Sequence, residues 1–149
     1  MNDSLINQGT GRRLIRFGIL LFFLGLLTGL VVPILVNPRL GVSGHLEGVM
    51  NGTFLVVLGL IWPRLKLSRL TLTITFWLSM YGAYVNWGTT LAAAALGAGQ
   101  SMMPIGAAGY VGTPVQEAII NFGLVSFAIA ILITCVIVLW GLRGADEQK

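Results

Sequence analysis

Four apolar stretches, each long enough to cross a lipid bilayer as a helix, take up most of this 149-residue chain. They run from Leu14 to Val36, Gly44 to Trp62, Leu70 to Leu96 and Glu117 to Leu142. A hydrocarbon core of about 30 Å needs roughly 20 apolar residues per helix. Backbone that crosses it must satisfy its own hydrogen bonds, which favours helices. Only 9% of the residues are charged and 56% are hydrophobic, against roughly 25% charged in a soluble domain. The expectation is an all-α integral membrane protein: a four-transmembrane-helix bundle in a single domain over residues 1–149. Little chain remains for a soluble catalytic module.

Residues 1–11 are polar and read as a short flexible tail. Basic residues precede the first apolar run, as in a signal peptide, whose apolar region spans about 7–15 residues and ends at small residues. Here the run continues to Asn37-Pro38-Arg39, so a retained helix is expected. The net charge of +4 is no mark of nucleic-acid binding, because the basic residues gather at helix ends. Arg12, Arg13 and Arg16 precede the first run, and Arg64, Lys66 and Arg69 lie between the second and third. Positive charge stays on the cytoplasmic side. Both termini and the basic loop are therefore expected in the cytoplasm of a bacterial inner-membrane protein, with lipid as its surroundings. Residues 97–116 are rich in Gly, Ala and Pro with almost no charge. That composition fits a lid or re-entrant flap, and equally an irregular connector.

The second run opens with the ionisable and polar groups His45, Glu47 and Asn51, interleaved with Gly44, Gly48 and Gly52. Ionisable groups in the apolar slab are rare and often functional. His45 reads either as an interfacial histidine bonded to a neighbour or as a metal ligand. With one histidine and one cysteine in the chain, a tetrahedral zinc site cannot be assembled. A single histidine on haem iron can. Cys135, inside the fourth run, reads as a small packing residue. Gly48 and Gly52 share the face of His45, and such a bare strip leaves room for something flat, such as a porphyrin. Gly25 and Gly29 repeat the spacing and read as helix packing.

In the third run Trp77, Tyr81, Tyr84 and Gly88 form an aromatic face at helical spacing, either an interfacial belt or a pocket wall. Asn51 and Asn86 need partners in hydrocarbon, so they serve as interhelical glue or substrate contacts. Glu117, with Asn121 one turn on, complements a helix N-terminus.

The segment Asn37-Pro38-Arg39-Leu40-Gly41, the octet HLEGVMNG from His45 to Gly52, Trp62-Pro63-Arg64 and Asn86-Trp87-Gly88 resemble the hydroxylaminobenzene mutases. A more distant likeness is to styrene oxide isomerases. The resemblance implies a homotrimer that holds haem b through His45 as metal ligand, with Gly48 and Gly52 beside the cofactor. It implies Asn51 on the substrate side. The catalytic tyrosine of the epoxide isomerases falls at Thr90, near Asn86, and Tyr81 or Tyr84 would have to replace it from a neighbouring turn. The implied activity is an isomerase that converts an aryl hydroxylamine, a small aromatic substrate, to a 2-aminophenol, with the haem as Lewis acid. Three alternatives remain at this point: an isomerase of aryl epoxides, a haem electron-transfer subunit with Met50 or Met80 as second ligand, and a haem-free transporter or assembly partner.

The charge distribution makes a direct prediction. Cysteines placed in turn at Ser4 and Ser101 should differ in labelling by an impermeant thiol reagent on intact cells, with Ser101 the reactive position. Equal labelling would overturn the orientation.

Overall fold

The computed structural model describes residues 3–143, with side chains from residue 8 onward. It contains four long helices, α1 (Asp3–Val31), α2 (Pro38–Ile61), α3 (Arg69–Leu96) and α5 (Pro114–Leu142), and one short helix, α4 (Pro104–Ala107). Single 3₁₀ turns at Val32–Ile34 and Trp62–Arg64 finish α1 and α2. No strand occurs among the described residues. Three segments are long and apolar enough to cross a membrane: Gln8–Ile34, Pro38–Arg64 and Pro114–Leu142. The third long helix, α3, has the length, at 28 residues, but Thr71, Thr73, Thr75, Ser79, Asn86, Thr89 and Thr90 make it less apolar. Large apolar side chains such as Leu30, Ile34, Phe122 and Trp140 are mostly exposed, as suits helices whose outer faces meet lipid.

Two helix starts differ from expectation. The tail expected over residues 1–11 is helical from Asp3; Met1 and Asn2 lie outside the described residues. Gly11 there packs on the α2 backbone, since a Cβ at Gly11 would stand 2.8 Å from the Gly59 carbonyl oxygen. The second helix begins at Pro38, six residues before Gly44. Asn37 is its N-cap, and its Oδ1 accepts from the Leu40 amide at 3.2 Å. Pro38 then occupies the first helical position, where its fixed φ suits the helix and its missing N–H is no loss. Asn-Pro reads in sequence as a break, and here it is a start. Ser68 caps α3 and a Thr113–Gln116 capping box opens α5, both ordinary N-cap chemistry.

The closest packing joins α1 to α2 along a row of glycines. A Cβ on Gly48 would lie 2.5 Å from the Gly25 Cα, one on Gly52 2.5 Å from the Phe22 nitrogen, and one on Gly59 2.6 Å from the Gly11 carbonyl oxygen. Real Cβ atoms do not approach backbone so closely, so the two helices touch main chain to main chain, as small residues allow in lipid. This corrects one expectation. Gly48 and Gly52 are filled by α1, and the room they offer a flat ligand in sequence is taken by a neighbouring helix. Gly25, read as a packing residue, is one.

The other long helices complete the bundle. α3 packs against both α2 and α5. Leu14, Leu21, Leu55, Leu58, Trp62 and Leu72 form a core at one end. Leu40, Ala93, Ala94, Ala98, Ile120 and Leu124 form another beneath the 97–113 segment.

Gly52→Ala should therefore force α1 and α2 apart, lowering stability by about 1–3 kcal/mol as overpacking does. A lower midpoint of thermal unfolding in detergent, against an unchanged one for Gly9→Ala, where nothing lies within 4 Å, is the expected result.

Candidate active site

Polar side chains within the apolar helices converge between α2 and α3. Glu47 and Asn51 stand one turn apart on α2, as Asn86 and Thr90 do on α3, and side chains at that spacing share a face. The two helices run antiparallel. Gly44 lies against Leu91, and Gly48 against the Trp87 ring. In the same register the Thr90 hydroxyl stands beside the Glu47 carboxylate, and Asn51 comes level with Asn86. Glu47 Oε2, Asn51 Nδ2, Asn86 Oδ1 and Thr90 Oγ1 are all buried, and none has a hydrogen-bond partner. Leaving a buried polar group unpaired costs about 1–3 kcal/mol each, and folded proteins rarely tolerate it without a reason. An amide donor, an amide acceptor, a hydroxyl and a carboxyl oxygen are thus buried on neighbouring turns of α2 and α3, with the Thr90 hydroxyl at the Glu47 carboxyl group. The arrangement suits a small molecule that carries both N–H and O–H.

His45 lies on the other side of α2. Its Nδ1 is 2.8 Å from the Gly25 carbonyl oxygen. A carbonyl only accepts, so Nδ1 is the donor and Nε2 is the ring nitrogen left over. The ring rests against Gly29, where a Cβ would come 2.8 Å from Nδ1. Backbone hydrogen bonding at one ring nitrogen is the usual way a metal-ligating histidine is oriented at the other. No group of three or more His, Cys, Asp or Glu side chains that could hold a metal ion occurs among the described residues. A haem held by one histidine needs none. His45 precedes Glu47 by about 200° of helix rotation and Asn51 by about 240°. The imidazole therefore faces α1 while Glu47 and Asn51 face α3, so the expected site residues His45 and Asn51 are not brought together on one face.

The chain matches the family model for styrene oxide isomerase over residues 10–143. The chain belongs to the styrene oxide isomerase family. It is similar to hydroxylaminobenzene mutase HabB of Ectopseudomonas oleovorans, at 50% identity over 93% of this chain and 84% of the relative. Hydroxylaminobenzene mutase HabA of the same organism is 45% identical over 84% of this chain and 93% of the relative. No solved structure matches it. With a family of isomerases and two mutases as relatives, the chain is an enzyme of the isomerase class.

Among the isomerase's expected catalytic residues, Asn51, Asn86 and Thr90 belong to the quartet, whereas Tyr81 and Tyr84 do not. The two tyrosines lie on the opposite side of α3, lining with Phe17, Leu20, Trp77 and Met80 an open apolar groove of about 430 Å³ against α1. The Tyr84 hydroxyl donates to the Phe17 carbonyl at 2.9 Å, and that of Tyr81 to Ser126 Oγ at 2.8 Å. Both hydroxyls tie helices together. Helical spacing correctly puts Trp77, Tyr81 and Tyr84 on one face, but it says nothing of which neighbour that face meets. Trp87 serves the site from behind, with its Nε1–H donating to Thr28 Oγ1 of α1 at 3.1 Å.

Two residues do more than their sequence context suggests. Glu117 accepts from the amides of Gly99 (2.8 Å), Gln100 (3.3 Å), Ser101 (3.3 Å) and Gly112 (3.1 Å), and from Ser101 Oγ (3.1 Å). A helix-dipole role alone accounts for none of these. Asn37 donates through Nδ2 to the Gly106 and Ala107 carbonyls at 3.1 and 3.0 Å. Between them they fold residues 97–113 into a fixed cap containing α4. The partners are far apart in sequence, which is why the segment reads there as a bare loop.

Proposed function

We propose that this isomerase converts aryl hydroxylamines, with hydroxylaminobenzene as the reference substrate, to 2-aminophenols. The observation that carries the reading is the quartet of buried, unpartnered polar atoms between α2 and α3. It offers donors and acceptors to the –NHOH group, and the two similar mutases name that substrate class. Asn51 Nδ2 donates to the substrate oxygen and Asn86 Oδ1 accepts from its N–H, with Thr90 Oγ1 completing the set. These contacts hold the N–O bond in one orientation, and stronger bonds to the oxygen as negative charge develops there lower the barrier. The apolar walls admit an aromatic ring and limit capture of the cationic intermediate by bulk water.

His45 fits a b-type haem: its Nδ1–H is held by Gly25 and its Nε2 is the remaining ring nitrogen. Haem iron bound there would supply Lewis-acid activation of the hydroxylamine. His45 and the quartet face different sides of α2, so a ligand touching both reaches round that helix or is shared between copies. The assembly we propose is a homotrimer, in which such sharing between copies would occur. All four long helices span the bacterial inner membrane in this reading, with both termini cytoplasmic. At about 1.5 Å per residue, the 28 residues of α3 exceed the thickness of a bilayer core. The packing of α3 between α2 and α5 shelters its polar residues. A second reading, isomerisation of aryl epoxides, is favoured by the family-model match, and styrene oxide in the same assay separates the two. Two mutases among the relatives set the electron-carrier alternative aside.

The deciding experiment measures 2-aminophenol formed from hydroxylaminobenzene by purified protein. Asn51→Leu removes both amide functions at similar volume. Loss of one such stabilising bond costs roughly 2.7–4 kcal/mol, or about a hundred- to thousand-fold in turnover. Haem content should stay at the wild-type level. Unchanged turnover would reduce Asn51 to interhelical glue.

His45→Ala should purify folded, since α2 keeps its glycine contact with α1, but without a Soret band. A variant that retains the wild-type haem spectrum would show that another residue holds the cofactor.

A further inference from the structure

The rearrangement has a requirement that breaking the N–O bond does not meet. When the hydroxyl reaches the ortho carbon, that carbon still bears its hydrogen, and the nitrogen is an imine with one hydrogen. To become a 2-aminophenol, the molecule must lose the proton on carbon, return the C–H electron pair to the ring, and gain a proton on nitrogen. No oxidant or reductant enters; one proton moves from carbon to nitrogen.

Among the four groups that converge between α2 and α3, only one is a serviceable base. Amides and aliphatic hydroxyls do not accept a proton near neutral pH, whereas a carboxylate does. Glu47 is the sole acidic residue in the sequence of α2 and α3. Its Oε2 is buried and unpartnered, level with the Thr90 hydroxyl and one turn from Asn51. A carboxylate retained only to glue helices would have both oxygens bonded, as those of Glu117 are. Burying a carboxylate oxygen without a partner is expensive, and an intramembrane acid in that state is the kind that carries a function.

We propose that the Glu47 carboxylate is the proton carrier of the rearrangement: Oε2 takes the proton from the hydroxyl-bearing ortho carbon and delivers it to the imine nitrogen. Glu47 ends the cycle as it began, as a carboxylate. Asn51 and Asn86, one turn away, hold the nitrogen and oxygen while the carboxyl group serves both ring atoms. The inference rests on the aryl-hydroxylamine reading given above.

The experiment compares wild type, Glu47→Gln and Glu47→Asp with hydroxylaminobenzene and its 2,6-dideuterio form. Wild type should show an isotope effect on turnover near unity. Glu47→Gln, isosteric and unable to carry a proton, should lose about 10²–10⁴-fold in turnover, and its isotope effect should rise well above unity as removal of the ring proton becomes rate-limiting. Glu47→Asp keeps the carboxylate but withdraws it by one methylene. It should fall between the two on both measures, and it decides the matter if the Gln variant does not fold. Unchanged turnover in the variants overturns the proposal. So does lost turnover with an isotope effect still at unity, which would make Glu47 a residue of the N–O step or of structure. A wild-type protein that forms no 2-aminophenol would instead overturn the substrate reading itself.

Discussion

Main-chain contact between α1 and α2 is the constraint on which the rest of the molecule depends. In lipid, apolar side chains gain nothing by leaving one apolar medium for another, so helices associate through close packing and polar contacts. Gly11, Gly25, Gly48, Gly52 and Gly59 let the two backbones meet over most of their length. That contact fixes the rotation of α2. With α2 fixed, the His45 ring falls on the bare surface at Gly25 and Gly29, and Glu47 and Asn51 turn toward α3. A larger residue anywhere in the row would change both settings together.

The polar groups divide into two kinds by how they are satisfied. Tyr81, Tyr84, Trp87 and Thr28 bond across helix pairs, and Asn37 and Glu117 bond the backbone of residues 99–112. They hold the bundle and its cap in one arrangement. Glu47, Asn51, Asn86 and Thr90 each bury one polar atom without a partner, as Trp62 and Gln100 do elsewhere in the bundle. Low dielectric strengthens a hydrogen bond and also raises the penalty for leaving one unmade. The same physics makes the first group structural and leaves the second free to bond a ligand.

His45 and Glu47 are held apart on α2. The imidazole and the carboxyl group project from opposite sides of one helix and are kept from bonding each other. A glycine-lined interface on one side and polar groups on the other let a single helix present both.

Much of this was legible in the chain. Hydropathy and length marked the four long helices, Asn37, Ser68 and Thr113 are recognisable caps, and the octet from His45 to Gly52 marked the stretch of α2 that carries its ionisable groups. Asn51, Asn86 and Thr90, singled out in the sequence, do share the α2–α3 gap. What the chain alone left open was decided by rotation and by distance along the sequence. Periodicity sets angles between residues of one helix, but it does not set the angle of that helix against its neighbours. Gly48 and Gly52 thus looked like open space and are filled by α1, and Tyr81 and Tyr84, readable as a belt or a pocket wall, line a groove against α1, away from Asn86 and Thr90. The partners of Glu117 lie 5–18 residues away through non-helical backbone, where no repeat announces them. Glu47 was visible as an acid in an apolar helix, but only packing shows that one of its oxygens is buried without a partner.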